Sequence, residues 1–282
     1  MTWRLRSRSL SFLNGPAIMG IVNVTPDSFS DGGKFFSPQS AVDHGLQLED
    51  AGADILDIGG ESTRPYSQPV NPEEELTRVV PVLETLSQRV SIPLSIDTSK
   101  SVVAQAAIDL GVEVVNDVTG LAGDPLMPDI VAKSKVGVCI MHAQGTPQTM
   151  QVNPCYHDVV QEVFDYLAMR DRWLRSLNVQ AERICLDPGI GFGKTHEHNL
   201  SLLKNASEFH KLGRPILIGH SRKGFIGKLM GNMDRIRDAG TLGISIAMAI
   251  KGIQVLRVHD VAITRDAITC FNNSMDFCNS SS

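Results

Sequence analysis

The stretch "IMGIVNVTPDSFSDGG", residues 18–33, changes its character at Asn23. The residues before Asn23 are apolar and mostly branched, as expected for a parallel strand that is buried on both faces. A polar, glycine-containing loop follows Asn23. The stretch therefore predicts a core strand that carries an amide side chain at its carboxyl end.

Similar apolar runs with a polar ending recur along the chain. There are eight: "AIMGIVN", "DILDIGGES", "IPLSIDT", "VEVVND", "VGVCIMH", "RICLDPG", "RPILIGHS" and "IQVLRVHD". Helix-like segments such as "SPQSAVDHGLQLEDAG" separate them. Their spacing of roughly 34 residues suits a βα unit, and eight units predict an α/β fold, the (β/α)8 TIM barrel. An open doubly wound sheet is the alternative, because spacing alone does not distinguish the two.

Length and composition indicate one soluble domain spanning 1–282, with a core of about 15–270 and a flexible tail at 272–282. The chain has 282 residues, 42% of them hydrophobic and 20% charged, and a net charge of −5. This charge argues against nucleic acid or an acidic membrane as a partner. The five cysteines form no CxxC pair, and no signal peptide or membrane span is visible, so we expect a cytoplasmic protein.

Polar side chains stand at or just beyond the carboxyl ends of nearly all eight runs. In a (β/α)8 barrel, the active site lies at this end of the strands. Any one of these residues alone is equally well explained as a helix cap or a solvated strand end. Together they predict a single active site, formed by Asn23, Asp57, Asp97, Asn116, His142, Asp187, Lys223, Arg257 and His259.

Two motifs carry positive charge. In "LRVHD", Arg257 and His259 project to the same side of a strand, an arrangement that suits a phosphate or diphosphate. The alternative is a surface pair between Arg257 and Asp260. In "HSRKGF", Lys223 follows the seventh strand, where barrels commonly bind phosphate, although a lysine there also suits Schiff-base chemistry.

The glycine-rich stretch "DPGIGFGKT", residues 187–195, resembles nucleotide-binding motifs without matching one. Pro188 stands where a P-loop requires glycine. The glycines predict a turn whose backbone approaches a flat ligand closely, with Phe192 stacked on that ligand or packed in the core.

The carboxylates Asp57, Asp97 and Asp187, together with Asn116, form a predicted set of oxygen acceptors. Two ligands suit such a set. A divalent cation takes oxygen ligands, and a heterocycle with an N–H edge pairs with a carboxylate through two hydrogen bonds. The residues alone leave both possibilities open.

Eight motifs, in order along residues 15–270, resemble the dihydropteroate synthase family of the folate pathway, the target of sulfonamides. They are "GIVNVTPDSFSDGG", "DIGGESTRP", "SIDTSK", "VVNDVTG", "MHAQGTPQTMQ", "DPGIGFGKT", "SRKGFIG" and "RVHDV". The resemblance implies a transferase that forms a homodimer. Its reaction condenses 6-hydroxymethyl-7,8-dihydropterin diphosphate with 4-aminobenzoate to give 7,8-dihydropteroate and diphosphate.

The resemblance also implies a role for each matching position. Asn23 holds Mg²⁺, the cofactor, and counts with Asp97 and Lys223 as catalytic. The pterin pocket comprises Asp57, Asp97, Asn116, Met141, Asp187, Phe192 and Lys223. The diphosphate site comprises Thr63, Arg64, Arg257 and His259. The aminobenzoate site and its closing loops comprise Thr25, Phe29, Asp31, Pro65, Ser221 and Arg222.

Gly224 departs from the family pattern, because a serine that helps to bind the aminobenzoate carboxylate often follows "SRK" there. We expect weaker side-chain recognition of that carboxylate. Three other functions compete with the synthase: a methyl transferase on the same type of pterin barrel, a pterin-binding module without catalysis, and an aldolase that uses Lys223.

Overall fold

The structure is a computed structural model that describes residues 1–25 and 38–279. The chain begins with an antiparallel hairpin of two short strands, β1 (Thr2–Arg4) and β2 (Ser9–Ser11). Eight further strands follow: β3 (Ala17–Asn23), β4 (Ile55–Gly59), β5 (Leu94–Asp97), β6 (Val114–Asp117), β7 (Gly137–Met141), β8 (Ile184–Asp187), β9 (Leu217–Ile218) and β10 (Val255–Val258). These eight coincide with the eight apolar runs of the sequence.

The eight strands form a barrel. Hydrogen-bonded neighbours follow the order β8, β7, β6, β5, β4, β3, β10, β9, and every pair is parallel. A parallel bridge between Leu186 and Ile216 joins the two ends of this series. The (β/α)8 TIM barrel is therefore confirmed, and the open doubly wound sheet is wrong.

Helices connect the strands on the outside of the barrel. They are α1 (Pro38–Asp50), α2 (Pro72–Arg89), α3 (Ser101–Asp109), α4 (Met127–Ser134), α5 (Val159–Ser176), α6 (His196–Lys204), α7 (Gly224–Leu229), α8 (Asp238–Ile250) and α9 (Val261–Asn279). Among them, none has the length and apolarity needed to cross a membrane. The last helix continues to Asn279, well into the segment 272–282 for which the sequence predicts a flexible tail.

Local signals explain several helix starts. Asn71 and Asp158 accept hydrogen bonds from backbone N–H groups in the first turns of α2 and α5. At α6, the side chain of Thr195 accepts from the N–H of His198, whose ring accepts from the N–H of Thr195. The stretch "THEH", residues 195–198, is therefore the capped start of a helix.

Alternation along each strand divides the core into two layers. Residues such as Ile18, Val22, Leu56 and Ile58 belong to the cluster that packs against the helices. The intervening residues point into the barrel, because side chains alternate in direction along a strand. At the amino-terminal end this interior is apolar and comprises Met19, Ile55, Val114, Cys139, Cys185, Leu217 and Val255.

The amino-terminal hairpin covers this end of the barrel. Trp3 and Leu5 are fully buried against the apolar interior. The indole N–H of Trp3 donates a hydrogen bond of 2.9 Å to the carbonyl of Arg183. This hairpin could not be foreseen from the sequence, because three-residue strands carry too little periodicity to recognise. It leaves the opposite, carboxyl-terminal end as the open mouth of the barrel.

Trp3→Ala is expected to lower the free energy of unfolding by about 3–5 kcal/mol, because it removes a fully buried indole and leaves a cavity. Urea denaturation measures this change. Leu13→Ala is the control, since Leu13 is 87% exposed and its truncation should change stability by about 0.5 kcal/mol or less. A loss below about 1 kcal/mol for Trp3→Ala would show that the hairpin does not support the barrel.

Candidate active site

The side chains predicted to form the site converge at the mouth of the barrel. Each stands next to a strand residue that packs against the helices, so each points into the barrel. The group comprises Asn23, Asp57, Asp97, Asn116, Met141, Asp187, Arg257 and His259. Strand register places Asn23, Asp97 and Asn116 in one row, because Asn23 pairs with Gly59, Gly59 with Asp97, and Asp97 with Asn116.

Arg257 links two carboxylates across this mouth. Its Nε donates to Asp57 Oδ2 at 2.6 Å, and its Nη2 donates to Asp97 Oδ2 at 2.7 Å. The amide of Asn116 also donates to Asp57 Oδ2, at 3.0 Å. The alternative pairing of Arg257 with Asp260 is therefore wrong. Since a guanidinium has five N–H groups, Arg257 retains donors for a further anion.

Burial and ion pairing oppose each other in this group. Burial raises the pKa of Asp97, while the positive charge of Arg257 opposes the rise. Burial disfavours the charged form of Arg257, but the charges of Asp57 and Asp97 outweigh this effect and raise its pKa, so the guanidinium stays charged. The second oxygen of Asp57, Oδ1, is buried without a hydrogen-bond partner among the described residues. A buried acceptor without a partner is costly, so this atom marks a place where a ligand N–H is expected to bind.

Asp187 ends β8 at the start of the glycine-rich loop 189–193. Its Oδ1 accepts a hydrogen bond of 2.7 Å from the N–H of Gly189. Burial raises the pKa of Asp187, and this hydrogen bond and three nearby cations counteract the rise. The loop needs its glycines: Gly189 has φ +71°, and a Cβ there would lie 1.8 Å from the carbonyl oxygen of His142.

Lys223 and Phe192 form one wall of the mouth. The ammonium of Lys223 lies 4.4 Å from the centre of the Phe192 ring and donates to the carbonyl of Ile190. Burial lowers the pKa of Lys223 to about 8. Gly191 permits this approach, since a Cβ there would lie 2.8 Å from Lys223 Cδ. Phe192 is half-buried, so its ring remains accessible to a ligand.

Lys194 is a buried cation whose importance was not evident from the sequence. It is 2% exposed; its Nζ lies 3.0 Å from His142 Nδ1 and donates to the carbonyl of Phe192 at 2.9 Å. Burial lowers its pKa to about 7. His142, which the sequence predicts to be part of the site, is instead a buried histidine whose ring contacts Lys194. The single lysine in "DPGIGFGKT" was the sequence feature that could have drawn attention to Lys194.

Four cationic side chains lie near His259. Burial, together with the neighbouring charges of Arg257, Arg222, Arg64 and Lys223, lowers the pKa of His259 to about 3. Its imidazole is therefore neutral, with Nδ1 placed 2.9 Å from Ser221 Oγ. The four cations form a surface suited to an anion, in which His259 is a neutral hydrogen-bonding group rather than a charge.

Three of the remaining predicted residues lie in the loop that follows β4. In the loop after β4, Thr63 is half-buried, whereas Arg64 and Pro65 are exposed. Glu61 anchors this loop: its Oε2 accepts from Lys100 Nζ at 2.6 Å, and its Oε1 accepts from the N–H of Val70 at 2.9 Å.

Thr25 lies two residues after the end of β3 and is buried, while Phe29 and Asp31 lie outside the described residues. Arg222 follows β9, and its Nε donates to Asp238 Oδ1 at 2.7 Å.

Asn23 is the residue at the mouth that would hold a metal. Its amide is half-buried and makes no hydrogen bond to the described part of the chain. Residues 1–25 and 38–279 contain no group of three or more His, Cys, Asp or Glu side chains arranged around a cation. Mg²⁺ usually keeps several waters and binds through one or two carboxylates together with substrate phosphates. Asn23 offers one amide oxygen, so it would hold Mg²⁺ only together with water and a phosphorylated substrate.

Comparison with known proteins agrees with this geometry. The family described as "Pterin binding enzyme" matches residues 19–259. The dihydropteroate synthase of Escherichia coli K12 is 43% identical over 256 residues, which is 91% of this chain and 90% of that protein.

Solved structures give the same result. Yersinia pestis dihydropteroate synthase, in a sulfonamide drug complex, superposes with a TM-score of 0.91 at 38% identity, over 99% of this chain and 100% of that one. The Xanthomonas albilineans enzyme with 4-aminobenzoic acid has a TM-score of 0.90 at 43% identity, over 98% and 99%. With 7,8-dihydropteroate, its TM-score is 0.87 at 41% identity, over 98% and 99%. The chain therefore belongs to the pterin binding enzyme family, as a member of the dihydropteroate synthases.

Proposed function

We propose that this enzyme condenses 6-hydroxymethyl-7,8-dihydropterin diphosphate with 4-aminobenzoate to give 7,8-dihydropteroate and diphosphate, a step of folate biosynthesis. One observation carries the proposal: a buried set of oxygen acceptors and a cluster of cations share one barrel mouth and are joined there by Arg257. The acceptors suit the N–H groups of a pterin, and the cations suit its diphosphate.

The pterin ring lies among the buried polar groups. Asp187 pairs with its N–H edge, and the free Oδ1 of Asp57 and the amide of Asn116 supply further hydrogen-bonding groups. Protonated Lys223 donates to the acceptor side of the ring. The ring stacks between apolar side chains. Phe192 and Met141, at the carboxyl-terminal mouth of the barrel, are the side chains proposed for this contact.

Diphosphate leaves when its charge is neutralised. Arg64, Arg257 and Lys223 supply positive charge, while neutral His259 donates a hydrogen bond. The C–O bond between the pterin methylene and the diphosphate breaks, and its electron pair departs with the diphosphate. The methylene cation that remains is delocalised into the ring and is stabilised by the negative charge of Asp97.

The amine of 4-aminobenzoate then attacks the methylene carbon, forms the new C–N bond and loses a proton to solvent. No covalent bond to the enzyme is needed, so Lys223 acts as a hydrogen-bond donor and not as a Schiff-base amine. Thr25, Pro65, Ser221 and Arg222 contribute to the proposed aminobenzoate site, and the resemblance to the family assigns Phe29 and Asp31 to it as well. Sulfonamides, which resemble 4-aminobenzoate, compete for this site.

Mg²⁺ is the proposed cofactor. When bound, it adds positive charge to the leaving diphosphate. Asn23 holds it through its amide oxygen, which stands in the row that continues to Asp97 and Asn116.

The enzyme is proposed to be a homodimer. Helix α8 packs on the barrel through Thr241, Ser245 and Met248, while Leu242, Ile246 and Ile250 lie on its outer side. Ile250 is 65% exposed. An apolar stripe with this spacing on the outer face of a helix supports contact with a second copy of the chain.

A cytoplasmic location is also proposed. Cys139 and Cys185 are register partners on neighbouring strands and are both free thiols, which agrees with a reducing compartment. Neither a nucleic acid nor a membrane is a proposed partner.

The direct test of the function is diphosphate release from the pterin substrate, measured with and without 4-aminobenzoate. Release that requires 4-aminobenzoate and yields 7,8-dihydropteroate is the expected result. Binding of the pterin without release would favour a module that lacks catalysis. A methylated pterin substrate that reacts in its place would favour the methyl transferase.

Asn23→Ala is expected to raise the Mg²⁺ concentration needed for half-maximal diphosphate release by at least about tenfold, because the protein's amide ligand is lost. A magnesium titration of the initial rate measures this. Asn205→Ala is the control, since its side chain is exposed and donates to the carbonyl of Ser201 at the end of α6. A magnesium dependence that is the same in Asn23→Ala and in the unmodified enzyme would contradict the assignment.

The kcat/KM for the pterin substrate is expected to fall as the pH rises through about 8. Burial lowers the pKa of Lys223 to about 8, so its ammonium donor is lost above that pH. Lys223→Arg should remove this basic limb, because guanidinium remains protonated, while lowering the rate at every pH. Lys194 is unchanged in this variant, so a limb that persists would point to Lys194 instead.

A further inference from the structure

The segment 143–156, which connects β7 to α5, has no role in the proposed function. It is a compact unit. The Gln144 side chain donates to the carbonyl of Cys155 at 3.0 Å and accepts from the Cys155 N–H at 3.0 Å. Between these ends, the N–H of Met150 donates to the carbonyl of Thr146 at 2.6 Å, and Met150 is buried.

One end of this segment contacts the loop 61–70, which carries Thr63, Arg64 and Pro65. The N–H of Tyr66 donates to the carbonyl of Pro147 at 2.9 Å, and the Gln148 side chain donates to the carbonyl of Ser67 at 3.0 Å. Tyr66 has φ +66°, a conformation that costs free energy for a residue other than glycine. The contact with the segment 143–156 therefore stabilises an unfavourable loop conformation.

The other end contacts the loop 189–193, which carries Phe192. The Gln151 side chain donates to the carbonyl of Gly191 at 2.9 Å, and the Tyr156 hydroxyl donates to the carbonyl of Gly193 at 2.9 Å. The backbones are close, since a Cβ at Gly193 would lie 2.2 Å from the carbonyl oxygen of Gln144. The same segment thus holds one loop of each substrate site.

We propose that the segment 143–156 is a bridge that couples the two substrate sites, with Gln148 and Gln151 as its positioning residues. Gln148 fixes the diphosphate and aminobenzoate loop 61–70, and Gln151 fixes the pterin loop 189–193. This inference rests on the proposed function for the identity of the substrates. The hydrogen bonds themselves do not depend on it.

The bridge predicts that a ligand at one site reduces the conformational freedom of the other site. A pterin that packs against Phe192 restricts the motion of the loop 189–193. Through the hydrogen bonds of Gln151 and Gln148, this should also restrict the motion of the loop 61–70. A ligand that orders one side of such a unit lowers the entropic cost of binding at the other. Pterin binding should therefore favour the conformation of loop 61–70 that receives 4-aminobenzoate.

The test uses Gln148→Leu and Gln151→Leu, which keep the side-chain volume and remove the amide donor. Gln161→Leu is the matched control, because Gln161 is exposed on α5 and, among the described residues, its side chain donates only to Asp165. Amide hydrogen exchange of the whole chain is measured without ligand and with 6-hydroxymethylpterin. This probe lacks the diphosphate, so protection of loop 61–70 cannot come from contacts between that loop and phosphate.

Without ligand, Gln148→Leu should speed exchange in 61–70, and Gln151→Leu should speed it in 189–193. With 6-hydroxymethylpterin, the unmodified enzyme and Gln161→Leu should gain protection in 61–70, and both bridge variants should lose that gain. In turnover, Gln148→Leu should raise the KM for 4-aminobenzoate about fivefold, the effect of one hydrogen bond, with a smaller change in kcat.

Equal protection of 61–70 in the bridge variants and the control would overturn the bridge, as would faster exchange spread over the whole barrel. The ligand-free exchange distinguishes this failure from failure of the proposed function. Absence of 4-aminobenzoate-dependent diphosphate release in the unmodified enzyme would overturn the function, while local exchange changes at 61–70 and 189–193 would still support the bridge as a structural link.

Discussion

The buried ion pairs of Arg257 with Asp57 and Asp97 are the interaction on which the mouth of this barrel depends. Two carboxylates inside a barrel would destabilise it unless a cation neutralised them, and removing one partner of such a group is strongly destabilising. Arg257 provides that cation from β10, which is separated from β4 and β5 by β3. In the proposed function, this pairing keeps the acidic groups that receive the pterin beside the cations that receive its diphosphate.

The backbone of the loop 189–193 forms one side of the mouth, next to this charged group. The loop 189–193 turns back over the mouth because its three glycines adopt positive φ, and two buried or half-buried lysines bond to its carbonyls. Lys194 donates to the carbonyl of Phe192, and Lys223 donates to the carbonyl of Ile190. In the proposed reaction, Phe192 then presents its ring to the pterin, and the bridge 143–156 connects this loop to the loop 61–70.

Much of this arrangement can be predicted from the sequence, since each strand is an apolar run that ends in a polar residue. Parallel strands bring their carboxyl ends together, so the positions of Asn23, Asp97 and Asp187 along the chain are enough to assign them to one mouth. The charge state of His259 could not be assigned, because its neutral imidazole results from burial and from cations on other elements. The hairpin around Trp3 and the bridge of Gln148 and Gln151 also depend on contacts between distant segments, and no local pattern encodes them.

A double-mutant cycle on Arg257→Met and Asp97→Asn tests the central claim most directly, with the free energy of unfolding of the ligand-free enzyme measured by urea denaturation. The account predicts that Arg257→Met alone destabilises the enzyme by about 3–5 kcal/mol, because it leaves two buried carboxylates unpaired. In the double variant, the combined loss should be smaller than the sum of the two single losses by about 1.5 kcal/mol or more. Losses that add within about 0.5 kcal/mol would contradict the account, since they would show that the two side chains do not interact.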